Sequence, residues 1–354
     1  MREIDGKQYR VDSGNHGTAS VDDYVEDCGV IWVKDLERPV SDLSYHVISH
    51  ASKLGEAIRQ ELYDDARHQL GRLTIWLFSL CKRLQSDKSG ADAIFSLSTP
   101  LSEIIWSKYP ACCPVCFGRE YVLPVARGEQ PEEWQGDIMP CSCLLHLADV
   151  EGRSQKLSRE EKRLIQQELR KYAERTKPDT SAEFGLDAFQ ERSNKVFAPN
   201  LFAISIESTA FHLLEEIGEV CEALSSLYTF DQEEQGNFKR AYAQKKLDLE
   251  DEIADVFSWI FALANKLRDI FSLPDRYFKA MFPDAPVQPS FGPYLTLSQV
   301  IWETYGNKAH NVLGCRDCNK LVCECNIYLA TTESSVQEVL AKQDTVSEDQ
   351  AKQK

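Results

Sequence analysis

Residues 213–224 read Leu213-Leu214-Glu215-Glu216-Ile217-Gly218-Glu219-Val220-Cys221-Glu222-Ala223-Leu224, and residues 251–259 read Asp251-Glu252-Ile253-Ala254-Asp255-Val256-Phe257-Ser258-Trp259. In the first stretch Leu213, Leu214, Ile217, Val220, Cys221 and Leu224 fall at steps of three and four. From the second stretch onward, Ile253, Val256, Phe257, Ile260, Leu263 and Leu267 do the same. That is the period of one face of an α-helix. Strand-like alternation is scarce along the chain, so the spacing predicts an all-α fold built from helical bundles.

The chain also repeats itself. Lys53-Leu54-Gly55-Glu56-Ala57 answers Glu216-Ile217-Gly218-Glu219-Val220, and residues 68–80 parallel residues 251–263. Leu101–Tyr109 parallels Leu297–Tyr305, and a CxxC followed by a CxC closes each copy. Four matching blocks in one order predict a duplication. The expected division is an N-terminal segment (1–40), a first module (41–150), a connecting helix (151–184), a second module (185–330) and a polar, flexible tail (331–354). The connecting helix has Ser158 and Glu161 at capping-box spacing and stops before Pro178.

Glu216 and Glu219 are three residues apart, as are Glu252 and Asp255, so each pair shares a helix face. Like charges so placed repel, and a divalent cation reverses the sign. A single such pair is most often the solvated face of an amphipathic helix. The repeat supplies an internal control, because the first copy keeps Gly55, Glu56, Trp76 and Phe78 but has Lys53, Gln69 and Arg72 opposite Glu216, Glu252 and Asp255. The bundle does not need those acids to fold, which points to function. The first copy reads as a self-neutralised pseudo-site that takes no Mg²⁺, with Glu56 paired to Lys53 or Arg72.

Glu215-Glu216-Ile217-Gly218-Glu219 followed by Glu252-Ile253-Ala254-Asp255 resembles the EExxE…ExxD signature of the MazG-type, all-α nucleotide pyrophosphohydrolases. The resemblance covers residues 205–267 well and the first copy only as a degenerate relative. It implies Mg²⁺-dependent cleavage of a nucleoside triphosphate between its α and β phosphates, giving monophosphate and pyrophosphate. It further implies that Glu216, Glu219, Glu252 and Asp255 are metal ligands and that Glu215 orients or deprotonates the attacking water. Lys266 is a weaker candidate for a phosphate contact. Trp259 has Trp76 as its counterpart, so core packing is the preferred reading over stacking on a base. The rival reading is a non-catalytic, metal-dependent nucleotide sensor or a zinc-stabilised interaction scaffold. Nothing in the residues selects a base or a sugar.

Twelve cysteines in a chain read as cytoplasmic argue for metal ligation where they cluster. Cys113, Cys116, Cys141 and Cys143 form one set of four, and Cys315, Cys318, Cys323 and Cys325 another. Both suit structural tetrahedral zinc, giving about two ions per chain, with exchange of pairs between copies left open. The formal net charge of −16 argues against a nucleic-acid partner, since no basic patch offsets it. No apolar stretch reaches the ~20 residues of a membrane span. The expected partner is free nucleoside triphosphate, met by a pseudo-dimer within one chain, with a further homo-oligomer left open.

Overall fold

The computed structural model describes residues 1–86, 97–113, 167, 169–228, 238–281 and 296–325. These are overwhelmingly helical, in agreement with the all-α expectation. Eight helices with both ends among the described residues follow in order: α1 (Val21–Ile31), α2 (Val40–Arg59), α3 (Tyr63–Ser86), α4 (Leu101–Lys108), α5 (Leu186–Ala203), α6 (Ile206–Tyr228), α7 (Phe238–Met281) and α8 (Leu297–Tyr305). Two small antiparallel hairpins accompany them, β1 (Arg2–Ile4) with β2 (Lys7–Tyr9) and β3 (Gly306–Asn307) with β4 (Val312–Leu313). Of the expected connecting helix only residue 167 and residues from 169 onward are described, and these are helical to 175. The tail lies outside the described residues.

Local chemistry sets the helix ends. Ser20 and Asp23 form a reciprocal capping box at the start of α1, with N···O distances of 3.1 and 3.0 Å. At the α2–α3 corner Glu61 takes a left-handed conformation (φ +58°), and the N–H of Leu62 donates to the Ala57 carbonyl at 2.8 Å. Helices often end this way, though usually on a glycine.

The helices pair as α2 with α3 and α6 with α7, and α2 lies against α6. Helix α1 covers α3, and α5 covers α7. The two short helices then cross over: α4 packs on α7, and α8 packs on α3. Gly71 lets α8 come close, because a Cβ there would lie 3.0 Å from Val300 Cγ1. Cys113 and Val196 form a small cluster with Phe197 packed against them, and nearly all the other buried apolar residues join one core. A run of rings passes through it from Tyr24 to Phe78 (5.6 Å), Phe257 (5.6 Å), Phe261 (6.2 Å) and Phe189 (5.9 Å). Phe78 and Phe257 are fully buried, each contributing roughly 2–3 kcal/mol by area removed from water. Residues 1–40 are part of this body, giving it α1 and the buried side chains of Tyr9, Val11 and Tyr24.

Matching contacts recur at a distance. Asp22, the second residue of α1, accepts the Ser102 N–H at 3.2 Å and the Ser102 hydroxyl. Asp187, the second residue of α5, accepts the Ser298 N–H at 3.2 Å and its hydroxyl at 2.7 Å. An antiparallel bridge joins Ser20 to Gly185, two residues before each of those aspartates.

Candidate active site

Helices α6 and α7 run side by side and bring three carboxylates together. One oxygen each from Glu216, Glu252 and Asp255 lies within 4.8 Å of the others. The three-residue step between Glu252 and Asp255 puts both on one face of α7, and Glu216 meets them from α6. Glu219, one turn further along α6, hydrogen-bonds Glu252. The four acids expected as metal ligands therefore converge.

Burial and mutual repulsion set the electrostatics of these acids. Burial first, then the charges of Asp255 and Glu219, push the Glu216 carboxyl up to about 7. Burial also leads for Glu252, where Lys108 pulls down but Asp255 and Glu219 push up, leaving it near 8. Glu216 Oε1 accepts the Trp259 indole N–H at 3.2 Å, while its buried Oε2 has no hydrogen-bond partner. Such an orphaned oxygen is costly unless a ligand completes it. An octahedral Mg²⁺ with bonds of ~2.1 Å places its oxygens roughly 3 Å apart when adjacent and 4.2 Å when opposite. Three carboxylate oxygens within 4.8 Å of one another can close onto that spacing, so the residues fit a hard divalent ion.

Two more side chains enter from the first half of the chain. Lys108 Nζ, at the end of α4, lies 2.5 Å from Asp255 Oδ2 and 3.1 Å from the Asp251 carbonyl oxygen. The Tyr109 hydroxyl donates to Asp255 Oδ1 at 2.5 Å. Neither stands out as a site residue in the sequence. The available signal is within the repeat itself, where Lys108 interrupts a matched block by standing opposite Thr304.

Glu215 does not join the cluster. Its side chain is 65% exposed, with His212 Nδ1 at 3.3 Å. His212 in turn stacks on Trp259 with ring centroids 4.6 Å apart. Half-buried Trp259 thus links the Glu215–His212 pair to Glu216, a role beyond core packing. Lys266 lies eleven residues past Asp255, about 16 Å along the helix axis, and its Nζ donates to the Ile204 carbonyl at 2.6 Å. It is directed to the α5–α6 junction and away from the carboxylates.

In the first half, Glu56 pairs with Arg59 at 2.7 Å and with Gln60. The expected pairing with Lys53 or Arg72 is therefore corrected: Arg59, three residues on, is the nearer partner along the exposed face of α2.

Cys315, Cys318, Cys323 and Cys325 gather with their sulfurs within 4.8 Å of one another. The Cys315–Cys325 separation is 3.8 Å. Tetrahedral zinc with Zn–S bonds of ~2.3 Å has S···S edges of roughly 3.8 Å, so the four thiols fit that ion. Burial raises the Cys318 thiol, but N–H groups of Glu324 and Lys320 and the thiols of Cys315 and Cys325 outweigh it and bring it to about 7. The segment is tied to the body where the Cys323 N–H donates to the Ile31 carbonyl at 2.7 Å. Of the other set, Cys113 is buried, and Cys116, Cys141 and Cys143 lie outside the described residues.

Residues 204–277 match the MazG nucleotide pyrophosphohydrolase domain. The match spans α6 and most of α7, and with them every carboxylate of the cluster. It bears out the MazG-type resemblance over that stretch and supports a nucleotide pyrophosphohydrolase-like, divalent-metal-dependent function in general terms. No curated protein and no solved structure matches the chain. Among the described residues, no helix is long and apolar enough to cross a membrane.

Proposed function

We propose that this chain is a Mg²⁺-dependent pyrophosphohydrolase that converts nucleoside triphosphates to monophosphate and pyrophosphate. One observation carries this reading: Glu216, Glu252 and Asp255 converge from two helices, with a buried Glu216 oxygen left unpaired, inside the segment that matches the family. Glu216, Glu252 and Asp255 would hold the ion directly, and Glu219 would steady Glu252 or join as a fourth ligand. A bound Mg²⁺ supplies neutralisation of phosphate charge and a more acidic water.

The chain's own residues do the rest. Glu215, exposed and paired with His212 beside the cluster and not within it, would take a proton from an attacking water. The Trp259 indole fixes Glu216 through its N–H. Lys108 and Tyr109 hold Asp255 by both oxygens, which fixes the carboxylate plane.

We further infer that the site is assembled by an internal duplication. The twin contacts Asp22–Ser102 and Asp187–Ser298, the twin ring pairs Tyr24–Phe78 and Phe189–Phe261, and the Ser20–Gly185 bridge support a pseudo-twofold relation between the halves. The Cys315 set is read as structural zinc. The direct test is pyrophosphate release from a panel of ribo- and deoxyribonucleoside triphosphates in Mg²⁺. Tight binding of those nucleotides with no release would favour a sensor instead.

A further inference from the structure

Between α2, α3 and the cysteine segment lies an open cavity of about 330 Å³. Its walls come from α2, α3, the 3₁₀ turn Val33–Glu37, and the cysteine segment after β4. Lys34, Arg38, Lys53, Arg72 and Arg316 line it against only two carboxylates, Asp35 and Asp317. That is unusual in a chain with a net charge of −16. Arg38 is engaged by Asp35 and Asp42. Lys53, Arg72 and Arg316 make no hydrogen bond or ion pair among the described residues.

Aromatic rings share the walls. Trp76 stacks on His46 at 4.2 Å, and Tyr45 stands 66% exposed at the rim. A cavity of this volume sits at the small end of the ~300–1,000 Å³ typical of small-molecule sites. Exposed Lys53 and Arg316 and half-buried Arg72, unpaired along its walls, together with an aromatic at its edge, suit a phosphate joined to a flat ring.

The position sharpens the assignment. Lys53 stands where Glu216 does in the repeat, and Arg72 where Asp255 does. In the second half, carboxylates need a divalent ion before a phosphate can approach. In the first half, ammonium and guanidinium groups supply that positive charge on the chain itself. We propose that the first half is a second nucleotide site, which binds a mononucleotide through its phosphate without a divalent ion and does not cleave it. The choice of a nucleotide over other phosphates rests on the hydrolase reading; the cation-lined cavity does not.

Zinc tetrathiolate would add negative charge on one wall. Arg316, adjacent to Cys315 in sequence, is the natural counter-charge to it. Lys53, on the α2 wall and exposed, has no such duty.

The test is calorimetric titration of the full chain in Mg²⁺-free buffer, without chelator so that the thiols keep their metal. The probes are the ribo- and deoxyribonucleoside monophosphates and inorganic phosphate. The expected result is saturable binding of at least one nucleotide, tighter than inorganic phosphate. Lys53→Ala and Arg72→Ala should each weaken it about tenfold or more, while Glu252→Gln leaves it intact. Circular dichroism checks that the variants fold, and Lys53→Glu, at an exposed position, decides the matter if Arg72→Ala does not. No saturable binding, wild-type affinity in the Lys53 variants, or inorganic phosphate bound as tightly as any nucleotide overturns the proposal. Pyrophosphate release in Mg²⁺ reads the other half separately, so the two readings fail independently.

Discussion

Lys108 and Asp255 are 147 residues apart in sequence and 2.5 Å apart in space. The ammonium stands beside a ligand of the proposed Mg²⁺ site and does part of a cation's work there. Both side chains are still slightly exposed, at 16% and 18%, so the pair is worth less than a fully buried one. Replacing Lys108 by Met should cost the metal-free protein about 1–3 kcal/mol, by leaving Asp255 half-buried and facing other acids. The same change should tighten Mg²⁺ binding, because a competing cation is gone. Thermal unfolding and a Mg²⁺ titration measure the two effects, and weaker Mg²⁺ binding in the variant would sink this account.

Glu219→Gln should lower pyrophosphate release by about 10²-fold or more while leaving the melting temperature nearly unchanged. Glu219 faces the cluster and not the core, and its counterpart Glu56 sits exposed in the first half. Near wild-type turnover in Mg²⁺ would remove Glu219 from the site.

Stability should depend on pH in an uncommon direction. Burial and neighbouring acids raise Glu216 to about 7 and Glu252 to about 8, both from an ordinary value of 4.5. Between those limits the folded, metal-free chain binds more protons than the unfolded chain. These two groups therefore make stability fall as pH rises from about 4.5 to 8. Mg²⁺ displaces the protons, so its affinity should climb with pH until about 8 and its binding at pH 7 should release acid. Melts at pH 6 and pH 8.5, with and without Mg²⁺, check this: a metal-induced rise in melting temperature no larger at the higher pH would count against it.

The Cys315, Cys318, Cys323 and Cys325 cluster should hold one zinc ion, and the reading of about two per chain requires a second at the Cys113 set. Cys323→Ser should lose one equivalent of zinc and lower the melting temperature by several degrees, since it also loosens the tie between Cys323 and Ile31. Metal analysis of protein purified without chelator, returning no zinc, would refute the assignment.

The helices and their acidic faces were legible because they are local. The three- and four-residue steps of Leu213 to Leu224 and Ile253 to Leu267 name the buried faces, and the acids fall beside them. What was not legible is contact over long separations. Lys108 looks like an ordinary terminal lysine of α4 until α4 is seen lying on α7. Glu56 shows the opposite case: a local partner, Arg59, lies one turn away and takes the place of Lys53 or Arg72. His212 gave no signal, since its role comes from stacking on Trp259 across two helices.

The crossing of α8 onto α3 has a consequence during synthesis. Helix α3 ends at Ser86, yet the helix that covers its Gly71 face is not complete until Tyr305. At ~5–20 residues per second, a ribosome needs roughly 10–45 s to make the intervening chain. For that interval the nascent first half carries an apolar strip with nothing of its own to lay over it. Chaperone demand should therefore peak before the second half emerges, and a chain truncated before α8 should aggregate even though α1 to α7 are all present.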